Sequence, residues 1–150
     1  MKILFITPYV PNLIRVRPYQ LLRSLVERGH SITLATVWSS EEEKADLKPL
    51  ADWGVRVIAE QLPLWRSLGN SLLTLFTRAP LQANFCWQPR LARQIVQLLE
   101  QDPPDVVHVE HLRGAPYGLL VKRLGQAHQI PIPVVWDSVD CISYLFEQAV

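Results

Sequence analysis

Glycine and cysteine are both scarce in this chain of 150 residues, at six and two copies, which excludes a collagen-like repeat and a disulfide scaffold. Neither sign of charge dominates: 15 Lys and Arg against 14 Asp and Glu leave a net charge of +1. With 49% hydrophobic residues, that balance excludes a disordered chain and argues against a nucleic-acid partner. Long apolar runs are missing as well, since no stretch approaches the ~18 uninterrupted apolar residues of a spanning helix. The segment from Ile3 to Ile14 follows Lys2 as an export signal would. Pro8 and Pro11 break it, Arg15 and Arg17 close it, and no A-x-A-like cleavage site follows. Cys86 and Cys141 have no C-x-x-C spacing, so two reduced thiols in the cytoplasm are expected. A chain of this length buries roughly 68–70% of its unfolded surface, enough for one core without staples.

What is present is an alternation of apolar periods. Ile3 to Ile6 is a continuous apolar run, the pattern of a central parallel strand. Arg17 to Arg28 carries Leu21, Leu22, Leu25 and Val26 on one helical face, and Gly29 stops it. Ser31 to Val37 is alternating and β-branched, hence a second strand. Ser39 or Ser40 caps a helix opening with Glu41, Glu42 and Glu43 and ending before Gly54. Val55 to Ala59 reads as a third strand. From Gln61 to Trp87 a helical spacing of leucines is interrupted by Pro63, Gly69 and Pro80. An amphipathic helix from Arg90 to Gln101 ends at Pro103 and Pro104. Asp105 to Glu110 and Pro133 to Trp136 read as strands four and five, around a helix from Pro116 to Gln126. A last helix is expected from Ser138 to Ala149, and it meets Val150 without Gly, Pro or a polar tail, as in a domain cut short.

Five strands alternating with helices predict an α/β, Rossmann-like parallel sheet with helices on both faces, wound by right-handed crossovers. In such sheets ligands lie beyond the carboxyl ends of the strands, where the strand order reverses. For the order 3-2-1-4-5 that place lies between strands one and four. The loops to watch are Thr7 to Ile14, His111 to Ala115 and Asp137 to Asp140.

The first loop has no glycine, so neither G-x-G-x-x-G nor G-x-x-x-x-G-K-[ST] is present and no self-sufficient NAD or ATP site is expected. Arg15 and Arg17 stand where the first helix begins, either as solvated charge or as guanidinium groups for an anion. Strand four ends H-V-E-H-L-R-G. His108 reads as a satisfied core imidazole, whereas Glu110, His111 and Arg113 sit at the carboxyl edge. The pattern is not H-E-x-x-H, and no zinc is assigned. After strand five, Asp137 and Asp140 could hold sugar hydroxyls, serve as a general base or ligate a hard metal; Asp137 could equally cap the following helix. A phosphorylatable Asp near strand one, which a receiver domain needs, is absent.

Charge is segregated along the chain. Gln61 to Leu99 holds Arg66, Arg78, Arg90 and Arg93 and no acid, interleaved with Trp65, Phe76, Phe85 and Trp87. Glu100 to Val150 holds seven acids against three bases. A basic, aromatic segment of this kind suits an anionic membrane surface; the plainer expectation is that its aromatics are core.

M-K-I-L-F-I-T-P-Y, R-P-Y-Q-L-L-R-S-L-V-E-R-G-H-S-I-T-L-A-T, P-D-V-V-H-V-E-H and P-V-V-W-D-S-V-D follow one another in register with the strands. Together they resemble the N-terminal half of GT-B glycosyltransferases of the family 4 type. The resemblance implies one N-terminal, acceptor-side domain over residues 1–150. Its enzyme would move a sugar, without metal or resident cofactor, from a nucleotide-sugar donor to a glycan or lipid-linked acceptor at the cytoplasmic face of a membrane. The partner it implies is a C-terminal donor-binding domain, which has no counterpart here, so turnover by the isolated chain is not expected. Where the family commonly has a Gly-Gly loop this sequence has P-Y-V-P-N-L-I, and Asp137 stands at or near the family's histidine after strand five. On this reading Arg15, Arg17, Glu110, His111, Arg113 and Asp140 line the interdomain cleft with Asp137 as the catalytic candidate. The alternative is a non-catalytic α/β binding module left from a split or truncated gene.

Overall fold

A computed structural model describes residues 1–77, 80, 82–127 and 132–138. In chain order the elements are β1 (Lys2–Ile6), α1 (Val16–Glu27), β2 (Ser31–Trp38), α2 (Glu41–Ala45), α3 (Leu47–Asp52) and β3 (Arg56–Gln61). They continue with α4 (Leu64–Thr74), α5 (Pro89–Gln101), β4 (Val106–Glu110), a single 3-10 turn (Leu112–Gly114), α6 (Ala115–Ala127) and β5 (Val134–Asp137). The strands form one sheet in the order β3-β2-β1-β4-β5, and every pairing is parallel. This is the α/β, Rossmann-like arrangement expected from the alternation.

Both faces of the sheet are covered, and β1 shows why its sequence is apolar throughout. Successive side chains point to opposite faces. Ile3 and Phe5 join Leu22 of α1, Leu50 of α3 and Ile32 and Leu34 of β2. Leu4 and Ile6 join Leu91, Ile95 and Leu98 of α5 and Tyr117 and Val121 of α6. Gly29 closes α1 with φ +78°, a conformation glycine adopts without steric cost. Its N–H and that of His30 return to the Val26 and Leu25 carbonyls at 2.8 and 3.1 Å.

Three expectations change in detail. The single helix expected before Gly54 is two short ones, α2 and α3, meeting at Asp46. Pro49 lacks the N–H that would reach the Ala45 carbonyl, and its ring crowds that carbonyl, so the helix breaks one turn earlier. In the Gln61–Trp87 segment α4 runs straight through Gly69 from its N-cap, Pro63. β5 extends to Asp137, which pairs in register with Glu110; Asp137 is therefore the last residue of a strand. Beyond Ser138, the final helix expected from the sequence lies outside the described residues, and Asp140 and Cys141 lie there too.

Candidate functional site

The parallel sheet sends the ends of β1, β4 and β5 to one edge, where the charged residues picked out in the sequence fall into separate groups. On the α1 face, register puts His108, Glu110, Val135 and Asp137 on the same side of the sheet as Phe5. The Asp137 carboxylate is ion-paired with the Arg17 guanidinium from the first turn of α1. Its side chain is 25% exposed, whereas Glu110 behind it is 2% exposed.

Glu110 Oε2 has no hydrogen-bond partner among the described residues. Burial lifts the Glu110 carboxyl to about 7; Arg17 pulls the other way and Asp137 adds to the rise. The His108 ring stacks on Phe5 at 4.4 Å between centroids. It is half-buried rather than the satisfied core imidazole expected, and its Nε2 has no partner among the described residues. Burial above all, with Arg17 adding and Asp137 opposing, holds His108 below the usual imidazole range.

Arg15 belongs to a second group. Its guanidinium donates to the Val10 carbonyl at 3.2 Å and to Glu43 Oε1 at 2.9 Å, and lies 4.7 Å from the centre of the Tyr9 ring. Glu43 is also held by the N–H and Oγ of Ser39, both at 2.8 Å, while its own N–H donates to Ser40 Oγ at 3.2 Å. This reciprocal pattern is close to a capping box. Burial raises the Glu43 carboxyl, but the hydrogen bonds from Ser39 and Arg15 prevail and leave it lowered. Glu43 was visible in the sequence only as a first-turn acid; its pairing with Arg15 required the fold.

His111 lies between the groups. Its φ of 66° is the one positive value outside glycine among the described residues. Its N–H donates to the Asp137 carbonyl at 2.8 Å, and Nδ1 accepts the Arg113 N–H at 3.2 Å. Its carbonyl accepts from Trp136 Nε1 at 3.3 Å, and its ring meets Tyr9 edge-on at 6.3 Å. Arg113 does not join Glu110. Its guanidinium covers the Phe85 ring at 4.9 Å and acts on Cys86, whose thiol burial pushes up to about 11.

Tyr117, a residue the sequence offered only as part of a helix, organises this second side. Its hydroxyl accepts from the Gln88 N–H and donates to the Cys86 carbonyl, both at 2.7 Å. A groove of about 670 Å³ runs beside it between α4 and α6, past Leu73, Trp87, Leu112 and Leu119. It is a different place from the Arg17, Glu110 and Asp137 group. Among the described residues no helix is long and apolar enough to cross a membrane.

No curated protein matches the chain. A family profile described as a glycosyl transferase 4-like domain matches residues 14–148, a span that contains the parallel sheet from β2 onward and all of the charged edge residues. The chain therefore belongs to the glycosyl transferase 4-like family.

Proposed function

We propose that this domain is the acceptor-holding half of a two-domain sugar transferase, which moves a sugar from a nucleotide-sugar donor to a hydroxyl of a glycan or lipid-linked acceptor. The observation that supports this most directly is the carboxyl pair on β4 and β5, Glu110 beside Asp137, with Arg17 opposite. It lies where an open α/β sheet receives its ligand, and a carboxylate is the group that accepts a hydroxyl proton.

Exposure divides the work between the two carboxyls. Asp137 is reachable and touches the acceptor; Glu110 is behind it and sets the local charge. Arg17 is a positioning residue that holds the Asp137 carboxylate in one orientation. As the acceptor oxygen bonds to the anomeric carbon, the bond from that carbon to the donor diphosphate breaks and the hydroxyl proton passes to Asp137. The charge gathering on the departing diphosphate is met by a C-terminal donor-binding domain. No metal or resident cofactor enters this scheme; the nucleotide-sugar is a co-substrate.

The second reading is a non-catalytic binding module. It is favoured by the fact that Arg17 and Arg15 are already paired with Asp137 and Glu43. Asp137→Asn in the complete enzyme separates the two. Transfer of labelled sugar from the donor is expected to fall about 100-fold or more, with acceptor binding retained and the circular dichroism spectrum unchanged. Transfer at the wild-type rate in that variant overturns the catalytic reading.

A further inference from the structure

Helix α4 is built inside out. Leu64, Trp65, Leu68, Leu72, Leu75 and Phe76 recur at one, three and four residues, so they share one face of the helix and its last turn. That face is exposed, with Trp65 at 68% and Phe76 at 86%. The opposite face, at Ser67, Asn70 and Thr74, is turned inward. Asn70 Nδ2 donates to the Trp87 carbonyl at 2.8 Å, Thr74 Oγ1 donates to the Asn70 carbonyl at 2.6 Å, and Asn84 Nδ2 donates to Thr74 Oγ1 at 3.1 Å. The orientation is therefore anchored by hydrogen bonds, and the leucines are left outside by construction.

Two further features characterise this ridge. Leu73 carries the apolar surface over into the groove between α4 and α6, where Arg123 stands on the far wall. Along the chain, Gln61 to Leu99 has four arginines and no acid, and on α4 the Arg66 guanidinium lies 5.1 Å from the Trp65 ring centre. A helix with leucine, tryptophan and phenylalanine on its outer face and arginine at its flank is suited to lie in the plane of a bilayer interface. Anionic headgroups complement the arginines.

We propose that the outer face of α4 docks this domain on an anionic lipid bilayer, with Leu68, Leu72 and Phe76 entering the acyl boundary and Arg66 meeting the headgroups. The surface is distinct from the Arg17, Glu110 and Asp137 group, so the proposal stands or falls apart from the sugar-transfer reading.

The test is sedimentation of the purified chain with vesicles of phosphatidylcholine alone or mixed with phosphatidylglycerol, at low and high salt. Binding is expected to the mixed vesicles and to weaken with salt. Arg66→Glu is expected to weaken it about tenfold or more, and the pair Leu68→Glu with Leu72→Glu to abolish it while leaving the inner hydrogen bonds intact. Brominated lipid should quench the wild-type tryptophan fluorescence and lose most of that effect in Trp65→Phe, a variant with no reason to unfold. No binding to mixed vesicles at low salt, or binding that these variants leave unchanged, overturns the proposal. A concentration-dependent dimer that Leu72→Glu dissolves, with vesicles left unbound, assigns the ridge to a second copy of the chain and overturns it equally.

Discussion

Helices α4 and α5 follow one another in the chain, and both carry a leucine-rich stripe, yet they face opposite ways. α5 turns Leu91, Ile95 and Leu98 into the core, whereas α4 turns Ser67 and Thr74 inward and its leucines out. The difference comes from what each helix meets. α5 lies over the apolar side chains of β1 and β4 and loses water from its stripe by packing there. α4 meets the backbone of residues 84–87, whose carbonyls need donors, and Asn70 answers that need. An apolar stripe establishes that a helix has two faces; the groups across from it decide which face is inside.

The sharpest way to break this contrast is to truncate one apolar side chain in each helix. Ile95→Ala in α5 is expected to cost about 3 kcal/mol in urea unfolding, the usual toll of a cavity under a buried aliphatic residue. An equal loss from Leu72→Ala would mean that α4 is buried after all.

A second test compares Asn70, half-buried and partnered, with Glu110, buried and with no partner for Oε2 among the described residues. Glu110 holds its carboxyl near 7 in the fold against an ordinary 4.5. Between those values the folded chain holds the extra proton, so its stability falls as pH rises through that window. Glu110→Gln removes the slope. Its stability relative to the wild type is expected to rise by roughly 3 kcal/mol between pH 4 and pH 8, as measured by denaturation at both ends. A pH-independent difference would show that Glu110 is hydrated as freely as a surface carboxyl.

The partnered counterpart is Asn70. Asn70→Ala is expected to cost about 1 kcal/mol, because the Trp87 carbonyl loses its donor. It should also loosen α4, read as faster amide exchange in residues 64–74 with the α5 amides unaffected. Smallest of all is Leu72→Ala by itself, expected within about 0.5 kcal/mol of wild type.

The fold was legible in the sequence because local signals and global topology agree. A continuous apolar run marked β1, glycine ended α1, alternation gave the parallel layer, and the commonest order for such a sheet, 3-2-1-4-5, is the order found. Pro49, one turn after Ala45, carried the signal for the break between α2 and α3, which the single helix expected there passed over. The site was legible only in part. Alternation put His108 and Glu110 on one face correctly, but the pairing of Arg17 with Asp137 joins residues 120 positions apart, and no local pattern encodes it. Arg113 illustrates the other limit. Its place beside Glu110 in the chain pointed to the same cluster, while the turn after β4 carries it across to Phe85. The aromatics of the basic segment divide in the same manner: Phe85 and Trp87 pack on the core as expected, and Trp65 and Phe76 do not.

The left-handed backbone at His111 has a consequence for how this edge can vary. One residue ties β5 through its N–H, the start of the next turn through its ring, and Trp136 through its carbonyl. Such a conformation costs a non-glycine residue of order 1–3 kcal/mol, and it persists because three attachments hold it. The position of the Asp137 strand end and the course of Leu112 into the groove wall are thus set by a single pair of dihedral angles. Change at that residue moves both places together, while change in the pair of Arg15 and Glu43 leaves its three hydrogen bonds in place.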